Sequence, residues 1–242
     1  MSHDGRLGVG VIGGGSVGPV LASALAGAGH QIVGIHARSD EAIERIESML
    51  PGVPILDVAD VIERSELVVI AIPDDQLADF VSGLAVLGVW QPGQIVLHTS
   101  ARFGADVLQP AVQCGAIPLA VHPALAFTGT SMDVGRLNGC YMAVTGPTPV
   151  LPIGQALAVE MGAEPIIISE QQRPAYADAV ETVSSFSTAI INQATDLLAG
   201  IGVAAPGRVL SGLVRSSVEN ALRKTSGPDP DVEAVAEAWE RE

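Results

Sequence analysis

Gly13, Gly15 and Gly18 stand in the run Gly-Val-Ile-Gly-Gly-Gly-Ser-Val-Gly, directly after the apolar stretch Val9 to Ile12. The types and the spacing suit the binding of a dinucleotide. Gly13 permits a tight turn, Gly15 lets backbone approach a pyrophosphate, and Gly18 lets a helix pack closely on the strand, so Ser16 and Val17 come to lie where helix amides face an anion. A glycine-rich loop without a ligand is the alternative. The placement between an apolar strand and a helix of Val20, Leu21, Ala24, Leu25 and Ala28 weighs against it.

The second strand, Gln31 to Ile35, says which dinucleotide. An NAD site usually carries Asp or Glu at this strand end to accept from the ribose hydroxyls, and here the chain reads His36, Ala37, Arg38, Ser39. Arg38 can form charge-assisted hydrogen bonds to a 2′-phosphate and Ser39 can add a donor, so the expected cofactor is NADP(H). An ordinary surface arginine is the competing account. A methyltransferase-type site is disfavoured, since it too commonly wants an acid at this strand end.

Three further strand ends carry candidates. Leu67 to Ile72 runs into Pro73-Asp74-Asp75, Ile95 to His98 into Thr99-Ser100, and Ile117 to Val121 into His122-Pro123. Ligands of an open parallel sheet lie beyond the carboxyl ends of its strands, so Pro73, Ser100 and His122 are expected on the side of the glycine loop. Hydride transfer to C=O or C=N leaves negative charge that a donor must neutralise. His122 is the expected titrating donor, with an ordinary pKa that suits the task, or else a structural hydrogen-bonder. Ser100 could orient substrate or touch the nicotinamide, and could equally cap the helical turn at Gly104 to Leu108. Asp74 could face the nicotinamide ribose or act as an N-cap. Arg102 and Arg136 could hold a substrate carboxylate, with solvated surface arginines as the safer reading. Asn192 and Asn220 could polarise a carbonyl, or be surface amides of their helices. The single lysine, Lys224, stands in a polar tail, which argues against a lysine acid.

The elements that must position these residues alternate strand and helix, the pattern of a doubly wound parallel sheet. Helices are expected near Asp40 to Met49, Val58 to Arg64 and Gln76 to Leu87, with a short strand near Val53 to Ile55. Tyr141 to Thr145, a helix from Val150 to Met161, and Pro165 to Ile168 extend this part. The expected architecture is therefore an α/β Rossmann domain over residues 1–168, followed by a smaller all-helical C-terminal domain over residues 169–242. In the latter, Val180, Val183, Phe186, Ile190, Ala194 and Leu197 form the stripe of a long amphipathic helix that must bury one face, most simply as core. A second helix from Arg208 to Leu222, a polar tail from Lys224 to Asp231 and a last short helix ending at Arg241 complete the reading.

The formal charge of −15 argues against nucleic acid and anionic membrane surfaces as partners. Cys114 and Cys140 lack metal or disulfide spacing, no metal site is expected, and the N-terminus lacks a basic leader, so the chain reads as cytoplasmic. With so few aromatic residues there is no box for a large planar ligand, and a small substrate is expected.

The glycine loop, Ile-Pro-Asp-Asp at 72–75, His-Thr-Ser at 98–100 and His-Pro-Ala-Leu-Ala-Phe at 122–127, taken with helices beginning at Tyr176 and Arg208, resemble a known family. It is a Rossmann-like oxidoreductase family of the 6-phosphogluconate-dehydrogenase-like superfamily, whose helical C-terminal domain is catalogued mainly as a domain of unknown function. Wider relatives include ketopantoate reductase-like, pyrroline-5-carboxylate reductase-like and cofactor-F420:NADP reductase-like enzymes. The resemblance implies an NADP(H)-dependent oxidoreductase reducing a small keto acid or cyclic imine, the helical domain closing the cleft and pairing with a second chain as a homodimer. The chain departs from the family at Ala177 and Asp178, where His and a small residue often follow the tyrosine, and at Ser184-Ser185, where Ser-Asn is usual. The region after the second helix survives only as Thr225-Ser226-Gly227-Pro228. These departures leave open a catalytically weak NADP-binding sensor or interaction protein.

Overall fold

The computed structural model describes residues 6–225. Strands β1 (Gly8–Ile12), β2 (Gln31–His36), β3 (Leu67–Ile70), β4 (Ile95–His98), β5 (Ile117–Pro123), β6 (Tyr141–Thr145) and β7 (Glu164–Ile167) form one sheet in the order β2-β1-β3-β4-β5-β6-β7. Helices α1 (Gly18–Gly27), α2 (Asp40–Met49), α3 (Val58–Glu63), α4 (Asp74–Val86), α5 (Gln109–Gln113), α6 (Met132–Arg136) and α7 (Leu151–Glu160) connect the strands. Every residue of β3 and β4 is buried, as a strand covered by helices on both faces must be. Two apolar clusters result, one holding Val9, Leu21, Leu97 and Val144, the other Ile12, Val68, Leu77 and Trp90.

Two expectations need correction. Val53 to Ile55 is not a strand; only an isolated bridge joins Ile55 to Ile35. The sheet is not parallel throughout, because β6 runs antiparallel to β5, with Pro123 opposite Met142. Chain entering β6 beside the end of β5 can pair with it only in the reverse sense.

The strand order reverses between β1 and β3, and a crevice opens there beyond their carboxyl ends. In register, Ile12 lies beside Ile70, Ile70 beside His98 and His98 beside Ala120. The segments after Ile12, Ile70 and His98, and the end of β5 at His122, therefore meet along one edge.

Beyond β7 come α8 (Arg173–Gly200) and α9 (Pro206–Thr225). Compactness divides the chain within α8, into Met1–Glu181 and Thr182–Glu242. In the second of these units α9 buries none of its residues, and the stripe read as core is exposed: Val183 at 68%, Phe186 and Ile190 at 64%, Leu197 at 69%. Lys224 belongs to the last turn of α9 rather than to a tail. The expected helix ending at Arg241 and the stretch Ser226 to Asp231 lie outside the described residues.

Candidate functional site

The glycine loop has the shape its residues require. Gly13 turns with φ +119°, and a Cβ there would run into the Ala71 carbonyl, while one on Gly18 would run into the Gly13 carbonyl. Gly15 differs, because a Cβ there would meet nothing within 4 Å. It borders open space at the start of α1, whose N-cap, Val17, has no side chain to accept from the first amides. Those amides stay available to an anion.

A cleft of about 280 Å³ runs from this loop along the end of β2. Gly13 to Gly15, His36, Arg38, Ser39, Arg45 and Phe80 are among its lining residues. Ser39 caps α2, its Oγ accepting from the Ala42 amide at 3.3 Å. Arg45 donates to the Gly14 carbonyl and pairs with Glu41 at 2.8 Å. His36 donates from Nδ1 to the Leu56 carbonyl, which leaves its buried Nε2 without a partner among the described residues. An unpaired buried acceptor is uncommon and asks for a donor. No carboxylate stands at this strand end; the lining acid is Glu41, the second residue of α2 and already engaged by Arg45.

A second cleft, of about 420 Å³, shares Gly15 and Ile72 with the first and continues past Ser16, Val17, Pro73, Asp74 and Ser100 to His122. The candidates at the ends of β3, β4 and β5 are thus brought together beside the glycine loop. Asp74 is the first residue of α4 and makes no cap bond; the N-cap position falls to Pro73. Ser100 is buried, and its Oγ accepts from the amides of Arg102 and Phe103, each at 3.1 Å. Its hydroxyl hydrogen remains for a ligand. The amides of Ala105 and Asp106, at the turn Ser100 could have capped, are taken instead by the Glu170 carboxylate.

His122 accepts or donates at Nδ1 to the Tyr176 hydroxyl, 2.8 Å away. Burial, with help from the nearby Arg173 cation, pulls its pKa from 6.5 to about 4. The expectation of an ordinary histidine pKa is corrected: at neutral pH this ring is uncharged. His98 is likewise held at about 4, chiefly by burial, and its tautomer is fixed: Nε2 donates to the Gly104 carbonyl, and Nδ1 accepts from the Ser100 amide.

Arg173 was not among the sequence candidates. It is 1% exposed, and all five of its N–H groups find oxygen: Thr145 Oγ1 at 2.7 Å, the Ser100 carbonyl at 3.0 Å, those of Ala120 and Ala143 at 2.9 Å, and a long contact to Ala101. None of these partners is a carboxylate, and burial pulls its pKa down to about 10. The only sequence hint was its place at a helix start, which ordinarily marks a surface residue.

Arg102 and Arg136 line neither of these clefts. Arg102 pairs with Glu181 at 3.4 Å, and Arg136 with Asp133 at 3.0 Å. Asn192 and Asn220 are exposed on α8 and α9 in the second unit, where Asn220 accepts from Arg223. Among the described residues, no group of three His, Cys, Asp or Glu could hold a metal ion, and no helix is long and apolar enough to cross a membrane.

This is a Rossmann-type α/β architecture with its clefts at the sheet's switch point. Residues 2–123 match the Rossmann-like domain and residues 140–229 the domain of unknown function DUF2520, and the chain belongs to that Rossmann-like family. Solved structures share the fold at low identity. A protein from Bacteroides fragilis, described as an NADP oxidoreductase, superposes with a TM-score of 0.75 at 18% identity over 96% of this chain and 88% of its own. The 1-pyrroline-5-carboxylate reductase of Streptococcus pyogenes gives 0.67 at 19% identity, over 96% and 85%. An imine reductase from Pseudomonas sp. gives 0.67 at 17%, over 90% and 76%. A search of curated protein sequences finds no match.

Proposed function

We propose that the chain is an NADP(H)-dependent oxidoreductase that reduces a small keto acid or cyclic imine. The observation that carries this is the continuity of the two clefts, which share Gly15 and Ile72 and so join Arg38 to His122 past the helix terminus. A dinucleotide is an elongated ligand with an anionic middle, and the residues fit one. Arg38, with Ser39 beside it, would hold a 2′-phosphate; the open space at Gly15 and the uncapped start of α1 would receive the pyrophosphate; the unpaired His36 Nε2 suits a ribose hydroxyl. Pro73 and Asp74 would flank the nicotinamide end. The bound cofactor would supply a hydride. His122 and Ser100, in the second cleft, would meet the oxygen or nitrogen on which charge develops. Names of the structurally similar oxidoreductases support the same class.

We also read the protein as a homodimer. Two helices whose apolar side chains stand exposed cannot supply a core of their own, and a second copy presents the same face. The division into a cofactor domain to residue 168 and a helical domain beyond it remains part of this proposal.

Calorimetric titration with NADPH and NADH, repeated on Arg38→Ala, tests the reading. The expected result is a preference for NADPH that falls by roughly ten- to a hundredfold in the variant, the worth of a hydrogen-bonded charge, with NADH binding little changed. Equal weak binding of both cofactors by the unaltered protein would overturn it. Tight NADPH binding without turnover of any keto acid or imine would favour a sensor instead.

A further inference from the structure

His122 reaches the second cleft with one ring nitrogen already committed. Nδ1 lies 2.8 Å from the Tyr176 hydroxyl, and the two rings meet edge to face, with centroids 5.5 Å apart and planes at 77°. Tyr176 is a neutral phenol, since burial raises its pKa. A neutral imidazole has one N–H and two places for it. With the hydrogen on Nδ1, the phenolic hydrogen would have no acceptor among the described residues. With the hydrogen on Nε2, the phenol, the stronger donor, donates to the imidazole nitrogen, the stronger acceptor, and the Nε2 hydrogen is left for a ligand of the cleft that His122 lines.

Arg173 makes the third member. Its guanidinium carbon stands 5.8 Å from the centre of the Tyr176 ring, and its five donors tie it to the segment after β4 and to β5 and β6. The charge is thus immobile, buried and without a carboxylate in contact. A second positive charge on His122 is opposed by this neighbour. The other titratable groups around the ring are His98, itself neutral at the end of β4, Tyr176 on α8, and Asp74 at the start of α4, which lines the same cleft.

We infer that Tyr176 and Arg173 are positioning residues that hold His122 as a neutral imidazole with its proton on Nε2. The site then offers the reacting oxygen or nitrogen a fixed hydrogen-bond donor instead of a cationic acid. The catalytic consequence rests on the reductase reading; the tautomer does not. Tyr176 and Arg173 need not touch substrate for this.

Long-range proton–nitrogen NMR of the full chain, with its histidine rings labelled with nitrogen-15 and His122 assigned through His122→Gln, reads the tautomer directly. Expected are a bare Nδ1 and a protonated Nε2, unchanged between about pH 8 and pH 5.5. Tyr176→Phe, close to the same size, should turn this into a mixture of tautomers. Arg173→Gln, which removes the charge, should move the His122 titration upward, while Arg173→Lys, which keeps it, should leave the titration low. A proton found on Nδ1, a His122 midpoint between 6 and 7 in the unaltered protein (about its ordinary value), or a tautomer indifferent to Tyr176→Phe would overturn the inference. With NADPH and a panel of 2-keto acids and cyclic imines as probes, Tyr176→Phe should lower kcat and leave NADPH affinity alone. A silent panel would tell against the reductase reading, while the NMR result would still decide this one.

Discussion

At position 15 an added methyl group would stand in open space, and at position 18 it would strike backbone. The two glycines of one loop therefore separate fold from binding. Gly18→Ala should destabilise the protein by about 1–3 kcal/mol, the usual cost of forcing atoms into a packed contact, read as a lower denaturant midpoint. Gly15→Ala should leave stability within about 0.5 kcal/mol, as for a change with no neighbour to disturb, yet weaken NADPH by a similar 1–3 kcal/mol, about ten- to a hundredfold, in calorimetry. Equal NADPH affinity in Gly15→Ala and the unaltered protein would show that no phosphate approaches this backbone. The same loop shows what sequence can reach: glycine spacing reports steric need directly. Arg173 could not be found that way. Its burial rests on carbonyls from β5, β6 and the segment after β4, which are distant from it in sequence, and nothing local marks an arginine as buried.

At the scale of elements, the segment between β5 and β6 depends on one carboxylate. Asp133, in α6, is fully buried; its Oδ2 accepts from the amides of Thr128 and Gly129 at 2.6 and 2.9 Å, and Oδ1 accepts from Arg136. Gly129, with φ +75°, lies close against Ser16 of the glycine loop and against Arg45, both of which line the clefts, so this clamp also backs their walls. Burial alone would raise the Asp133 pKa, but the hydrogen bonds from Thr128, Gly129 and Arg136 outweigh it and hold it below its ordinary 3.8. A depressed carboxyl stabilises above its unfolded pKa, and that gain disappears as pH falls through the folded value. Asp133→Asn should therefore cost about 1–3 kcal/mol at pH 7, the price of unsatisfied amides, and the gap to the unaltered protein should close below roughly pH 4 in urea unfolding. Elements with strong periodicity were legible: α2 and β2 fall where alternation and helical spacing put them. The sense of β6 was not, since a strand buried on both faces reads as the same apolar run in either direction. Short α5 and α6 were missed because a single turn has too few residues to display a period. The site was legible as strand ends converging on one edge, while the charge states of His98 and His122, set by burial and by Arg173, required the packed structure.

Taken whole, the molecule buries two neutral histidines, His98 and His122, each lowered from 6.5 to about 4. The unfolded chain binds protons at these sites below pH 6.5 and the folded one does not, so stability is full above that value and declines as pH falls towards 4. The slope should approach two protons, at most about 2.7 kcal/mol per pH unit, before most carboxylates have titrated. Urea midpoints at pH 7.5 and pH 5 measure it, and equal midpoints would mean that these rings are charged in the native state. The exposed stripe on α8 carries the other prediction. Sedimentation should give twice the chain mass, and Phe186→Glu with Ile190→Glu, both 64% exposed, should give single chains, because buried carboxylates would oppose pairing. A monomeric unaltered protein would remove the homodimer. The ties from Arg173 to Ser100, Ala120 and Ala143 also have a meaning in time. Synthesis delivers the strands before the residue that fastens them, so a growing chain stopped after β7 carries an edge whose carbonyls at Ser100, Ala120 and Ala143 still lack their donor. Only when position 173 leaves the ribosome can that edge close, and the interval before it is when the nascent protein is most open to proteases and in most need of a chaperone.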